Sequence, residues 1–293
     1  MRTTPKVAWI GLGAMGGPMA LATASAGMSV TAFDVQPSSL ESVAPQVSAA
    51  SNAREAVSGA DVTAIMVATG DQLQSVLFGE EGISPHLSQG SVILIMATVG
   101  PKAIEQAVDG LAGTGVHVVD APVSGGVARA KTGDLLMMVS GDSSAVAVVQ
   151  PLLDAMASNA PVVGERPGDG QRFKIVNQLL CGVHIAAAGE ALALADSMGL
   201  EVSRVHKVLG TGAAASFMFG DRGQRMVDEA FDEVRSALDI FVKDMGLVGE
   251  AAREVHQEVP LAVTAEQLYI RGHREGVGRK DDSIVFKLLR GEH

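Results

Sequence analysis

A single cysteine in 293 residues, Cys181, is too little for an intrachain disulfide or a multi-cysteine zinc site. Its isolation fits a reducing compartment, so the expected location is cytoplasmic. Aromatic residues make up only 3% of the chain, while Ala, Val, Leu and Met abound, which suits helices packed on a parallel sheet better than an aromatic-rich β-sandwich. Basic residues are outnumbered, 22 Lys and Arg against 33 Asp and Glu. The net charge of −11 excludes nucleic-acid backbones as partners. It does not exclude a small anionic substrate, because a few local donors outweigh the global field. The seven histidines have no metal-ligand spacing, and no metal is expected. Residues 1–6 are polar and run directly into an apolar strand, so no signal peptide is expected. The most membrane-like stretch, 175–195, carries Asn177, Gln178, His184 and Glu190, and reads as a buried helix. No membrane partner is expected.

What the chain has is apolar residues at 47% and 34 glycines, which together exclude extended disorder. Its length suggests two domains. The first half alternates β-branched runs at 7–11, 29–34, 61–67, 91–96, 115–120, 135–141 and 161–164 with helical patterns at 14–26, 72–78, 101–112 and 143–156. Continuous rather than alternating apolar runs predict strands covered on both faces. The β-α-β-α order predicts a doubly wound, Rossmann-type α/β fold. After the turn-rich segment 165–170 the strands stop. Helical patterns follow at 171–198, 203–209, 217–228, 236–254 and 260–274, with a short one from Asp281. Gly199 is the expected stop of the first and Ser203 the expected cap of the second. The predicted division is an α/β domain over 1–164 and an all-α domain over 165–293.

Gly11-Leu12-Gly13-Ala14-Met15-Gly16 has the spacing G-x-G-x-x-G, directly after an apolar strand and opening a helix. Gly11 permits the tight turn, Gly13 lets a pyrophosphate approach the backbone, and Gly16 lets helix and strand pack closely. The free N–H groups of the helix start then bind phosphate. Asp34 ends the next strand, where a carboxylate accepts from ribose hydroxyls and repels a 2′-phosphate. Val35 and Gln36 follow, where a phosphate site would use Arg or Lys. NAD is therefore the expected cofactor.

Two further segments carry chemistry. Asp120-Ala121-Pro122-Val123-Ser124-Gly125-Gly126 offers one hydroxyl and two unshielded backbone N–H groups, a nest suited to a carboxylate. In Gly168-Asp169-Gly170-Gln171-Arg172-Phe173-Lys174-Ile175-Val176-Asn177-Gln178, Lys174 precedes Asn177 and Gln178 by three and four residues on one helix face. An ammonium beside amide donors suits acid/base work on an alcohol or a carbonyl. Glu190, on the same helix, reads equally as a buried structural acceptor or as part of the site.

With these motifs, and with Lys243-Asp244-Met245-Gly246-Leu247, the whole chain resembles the β-hydroxyacid dehydrogenase family, in particular its four-carbon sugar-acid branch, typified by L-threonate dehydrogenase. The branch resemblance rests on 182–188, 239–244 and 280–283. It implies an NAD-dependent oxidoreductase acting on a small hydroxy acid, with Lys174 as general acid/base. Ser124, Gly125 and Gly126 would hold the substrate carboxylate, and Asn177 would orient its hydroxyl. Thr98 and Lys243 would reach the cofactor, as would the loop at Val67 and Ala68, where relatives often carry Leu-Pro. That branch tends to have His at the place of Asn177 and Trp at the place of Phe217, so both positions concern the substrate. The family also suggests a homodimer or homotetramer built through the helical domain. Sibling activities on the same scaffold are 3-hydroxyisobutyrate dehydrogenase and tartronate or succinic semialdehyde reductase. Imine reductases and non-catalytic NAD sensors are disfavoured by Lys174, Asp34 and the Ser124 nest.

Overall fold

The computed structural model describes residues 4–291, and the chain divides into two compact units, 1–174 and 175–293. The first contains strands β1 (Val7–Ile10), β2 (Val30–Phe33), β3 (Ser48–Ala49), β4 (Val62–Ile65), β5 (Val92–Ile95), β6 (His117–Asp120), β7 (Val123–Ser124), β8 (Leu135–Met137), β9 (Val139–Ser140), β10 (Ala157–Asn159) and β11 (Val162–Gly164). Eight of these form one sheet in the order β11-β9-β6-β5-β4-β1-β2-β3, parallel throughout except where β9 runs against β6. A second sheet, β10-β8-β7, lies apart from it in pairing.

Burial explains the apolar runs. Every residue of β1, β4 and β5 is buried, because helices cover both faces of the sheet. Side chains alternate between two cores. Val7, Trp9, Leu94 and Met96 pack into one with Met19 and Val149; Ala8, Ile10, Ile93 and Ile95 pack into the other with Leu73 and Ile104. The chain leaves β1 for β2 on one side and later returns to β4 on the other. The carboxyl ends of β1 and β4 therefore flank the switch point of the sheet, where open α/β folds bind ligands.

The run 135–141 is not one strand. At Met138 it passes from one sheet to the other, the Met138 N–H donating to the Pro122 carbonyl (3.1 Å) and that of Val139 to Pro161 (3.0 Å). Strands β3, β7 and β10 and the short helices Pro37–Glu41, Ala53–Val57 and Gly126–Lys131 were not expected from the pattern. Each is too short to display a period.

Helix Asp169–Ser197 begins in the first unit and continues through the second, which further contains helices Val202–Leu209, Phe217–Val227, Leu238–Glu254, Pro260–Arg274 and Val285–Arg290. The long helix is apolar enough to cross a membrane, yet half of its most apolar window is buried within the protein, as a core helix would be. Gly199, at φ +73°, follows its last turn. The next helix starts one residue earlier than expected. Glu201 occupies the N-cap position, so Ser203 lies inside the helix and is not its cap.

The second unit packs Ile185, Leu192, Phe241, Met245 and Val285 around Tyr269, whose hydroxyl donates to the Gly182 carbonyl (2.6 Å). Two ion pairs are buried beside this core. Arg222 meets Asp282 (3.0 Å) and Arg225 meets Asp281 (3.1 Å), with both aspartates fully enclosed. Asp221 accepts from both guanidinium groups at 2.6 Å.

Candidate active site

The glycine turn after β1 is built by close approach. Gly11 has φ +94°, and a Cβ there would lie 2.2 Å from the Met66 carbonyl oxygen at the end of β4. A Cβ on Gly16 would lie 2.1 Å from the Gly11 carbonyl oxygen, which already accepts from Trp9 Nε1 (3.0 Å). Gly13 differs: no heavy atom lies within 4 Å of its Cβ position. The helix that follows, Gly16–Ser25, has no side-chain cap and no acidic residue in its first turn. The Gly17 and Met19 N–H groups already meet the Gly13 and Met15 carbonyls (3.1 and 3.2 Å) and Pro18 has none, so this end offers an anion mainly its dipole. The residues fit a dinucleotide pyrophosphate, with open space over Gly13 and the positive end of the helix behind it.

Asp34 accepts from the backbone N–H of Leu12 (2.6 Å) and of Gln36 (2.8 Å), one to each carboxylate oxygen. It therefore braces the glycine turn and still presents lone pairs for ribose hydroxyls. Val35 is 81% exposed and Gln36 is exposed, so neither position puts a cation beside the carboxylate. Beyond β4, the Ala68 N–H donates to Gln72 Oε1 (2.8 Å), which shapes the loop at Val67 and Ala68.

Ser124 closes β7 and is half-buried, paired in register with Leu136. Gly125 and Gly126 follow at φ +141° and +73°, and Gly126 is exposed with nothing near its Cβ position. Both angles favour glycine, so two successive N–H groups stand without a Cβ to shield them.

The start of the long helix explains the Gly168-x-Gly170 spacing. Gly168 sits at φ +101°, and a Cβ on Gly170 would lie 2.3 Å from the Met138 carbonyl oxygen. Asp120, at the end of β6 and fully buried, accepts from Gly168 N–H (2.6 Å), Gln171 N–H (2.9 Å) and the Ser140 hydroxyl. Ser140 in turn accepts from Gly170 N–H (2.8 Å). These bonds fix the first turn, and one turn further on the same helix is Lys174, which is buried. Sequence reasoning placed Asp120 and Gln171 within motifs but gave neither a role.

Burial pushes the Asp120 carboxyl up to about 6, against the opposing pull of its hydrogen bonds from Ser140, Gly168 and Gln171. Its pKa when folded thus exceeds the ordinary 3.8, so the folded state holds a proton that the unfolded chain has released. The corresponding stability is fully present below pH 4 and is lost as pH rises through about 6, a change on the order of 3 kcal/mol. In urea melts, the difference between the wild type and Asp120→Asn should therefore shift by that order between pH 4 and pH 7. An equal difference at both pH values would refute this.

In the second unit, Asn177 Nδ2 donates to Gln178 Oε1 (2.8 Å), and Gln178 donates through Nε2 to Asp244. Lys243 Nζ lies 2.9 Å from Asp244 Oδ1, so one polar chain joins Asn177 to Lys243. Phe217 opens its helix and is 61% exposed. Glu190 is exposed, which removes the reading of it as a buried acceptor.

Comparison with known proteins agrees with both units. Residues 6–164 match the NAD-binding domain of 6-phosphogluconate dehydrogenase, and 168–289 match the family described as NAD-binding of NADP-dependent 3-hydroxyisobutyrate dehydrogenase. An L-threonate dehydrogenase of Cupriavidus necator is 39% identical over 96% of this chain and 95% of its own. One of Escherichia coli is 36% identical over 96% and 94%. The chain belongs to the β-hydroxyacid dehydrogenase family. A solved 3-hydroxyisobutyrate dehydrogenase of Salmonella typhimurium superposes on this family member with a TM-score of 0.90, at 36% identity over 97% of this chain and 99% of the other. The first unit of this β-hydroxyacid dehydrogenase is accordingly an NAD-binding Rossmann domain, followed by a helical domain, and the enzyme is an NAD-dependent oxidoreductase.

Proposed function

We propose that the enzyme oxidises a four-carbon sugar acid of the L-threonate type, with residues 1–164 binding NAD and 165–293 supplying substrate and oligomerisation surfaces. The near full-length similarity to proteins named L-threonate dehydrogenase carries this reading. The substrate carboxylate is held by the Ser124 hydroxyl and the N–H groups of Gly125 and Gly126. Asn177 orients the reacting hydroxyl, and Phe217 borders the substrate. Bound NAD supplies the acceptor for the hydride that leaves the carbinol carbon. Lys174, in its neutral form, takes the hydroxyl proton at Nζ as the carbonyl forms; in reduction the ammonium returns it. Thr98, Lys243 and the loop at Val67 and Ala68 contact the cofactor. The resemblance to a solved 3-hydroxyisobutyrate dehydrogenase supports that substrate as the second reading.

A panel of three- and four-carbon hydroxy acids, assayed with NAD and NADP by reduced-cofactor absorbance, tests the proposal. L-threonate should give the highest kcat/KM, and NAD should exceed NADP by about tenfold or more, roughly 1.4 kcal/mol. Asp34→Ser should narrow that gap. Preference for NADP would overturn the role of Asp34, and turnover of 3-hydroxyisobutyrate alone would favour the second reading.

A homodimer or homotetramer built through the helical domain completes the reading, with the cytoplasm as its location. Val176, Leu180 and Leu194 are exposed along the long helix and Met198 just beyond its end, as are Leu261 and Val263 on another helix. Such a spread of apolar side chains fits an interface between copies. Light scattering at micromolar protein should give at least twice the chain mass of 30.1 kDa. A sharp monomer peak would reject it.

A further inference from the structure

Gln171 is fully buried, and its side chain reaches across to the turn that follows β5. Its Oε1 accepts from the backbone N–H groups of Val99 (3.0 Å) and Gly100 (3.1 Å), while its Nε2 donates to the Ala97 carbonyl (3.0 Å). These bonds bracket Thr98 on both sides. The sheet ladder has ended by then, so the turn has lost the neighbours that would otherwise pair its backbone. A buried backbone group without a partner is destabilising, and one side chain here satisfies three such groups. Asp120 fixes the Gln171 backbone from beneath through the Gln171 N–H, and Lys174 follows one turn later on the same helix.

We propose that Gln171 is a positioning residue for hydride transfer, holding the 97–100 turn in the geometry that cofactor binding requires and tying that turn to the helix that carries Lys174. The proposal rests on the functional reading above, in which Thr98 meets NAD. The clamp is polar in one sense only, since two donors face Oε1 and an acceptor faces Nε2. An amide satisfies both. A carboxylate satisfies the two N–H groups but sets a negative oxygen against the Ala97 carbonyl. A protonated carboxyl restores the fit, because its O–H donates where Nε2 did.

This asymmetry supplies the test. NAD binding to Gln171→Glu, Gln171→Met, Thr98→Val and wild type is titrated by calorimetry from pH 5.5 to 8.5, with melting followed by circular dichroism. The charged groups around position 171 are Asp120, Arg172 (paired with Asp169 at 2.7 Å and Glu105 at 2.9 Å) and Lys174. All are present in every variant, so the difference from the wild-type profile is the readout. Gln171→Glu should bind NAD about tenfold more weakly at pH 8.5 and approach wild type as pH falls; Gln171→Met should be weakened at every pH. Profiles parallel to wild type, or a lowered melting temperature with unchanged NAD affinity in both Gln171 variants, would overturn the proposal. Weak binding by Thr98→Val beside normal Gln171 variants would overturn it while upholding the Thr98 reading. A normal Thr98→Val beside a pH-dependent Gln171→Glu would do the opposite, leaving the clamp to act through the backbone of the turn.

Discussion

Lys174→Ala should lower kcat by about 10²–10⁴-fold, the contribution of a positioned acid/base group. NAD affinity should be nearly unchanged, because the glycine turn and Asp34, the proposed dinucleotide site, do not include Lys174. The side chain is buried, so a merely solvated lysine is not the alternative to be tested. Steady-state kinetics with the best hydroxy acid, paired with calorimetric NAD titration, separates the outcomes. Most of the kcat retained would remove Lys174 from the chemistry. A normal melting temperature with NAD binding lost would assign it to the cofactor instead. If the neutral amine is the working form, kcat/KM for oxidation should rise with pH to a plateau in the wild type. The variant should lack that rise.

The second large effect belongs to the glycine turn, where neighbouring glycines should fail in different ways. Gly11→Ala places a methyl group 2.2 Å from the Met66 carbonyl oxygen and holds alanine at φ +94°. Neither the backbone angle nor the facing backbone atom can yield without parting β1 from β4. The expected cost is on the order of 3 kcal/mol or more, read as a lowered melting temperature, with NAD binding lost as well. Gly13→Ala meets no atom within 4 Å and should fold normally. Its methyl group would occupy the space required by the pyrophosphate, so NAD should bind weakly. Unchanged NAD affinity in Gly13→Ala would mean that the phosphates lie elsewhere.

How far the sequence revealed this arrangement depends on the range of each interaction. The strands at β1, β4 and β5 are legible because burial on both faces leaves continuous apolar runs, and the G-x-G-x-x-G turn is legible because its three glycines fall within six residues of chain, although the atom that restricts Gly11 lies on Met66. The run from Leu135 to Gly141 reads as one strand because hydrophobicity does not record which sheet each residue joins. Asp120 and Gln171 are visible as letters of motifs, yet their bonds span 51 residues and the links from Gln171 to Ala97, Val99 and Gly100 span more than 70. Only the sheet order brings those ends together. Ser203 is a good cap residue by type, but the chain enters its helix a step earlier.

The enclosed pairs Arg222–Asp282 and Arg225–Asp281 constrain how the helical unit can change over generations. Losing one partner strands a buried charge, at about 3–5 kcal/mol, whereas replacing both members by apolar residues of similar volume is often neutral. Asp221 links the two guanidinium groups, so each pair also depends on its neighbour. Single substitutions there lead through an unstable intermediate that selection removes. Sequence drift at these positions must therefore proceed by coordinated replacements, and descendants of this chain should carry Arg and Asp together or neither.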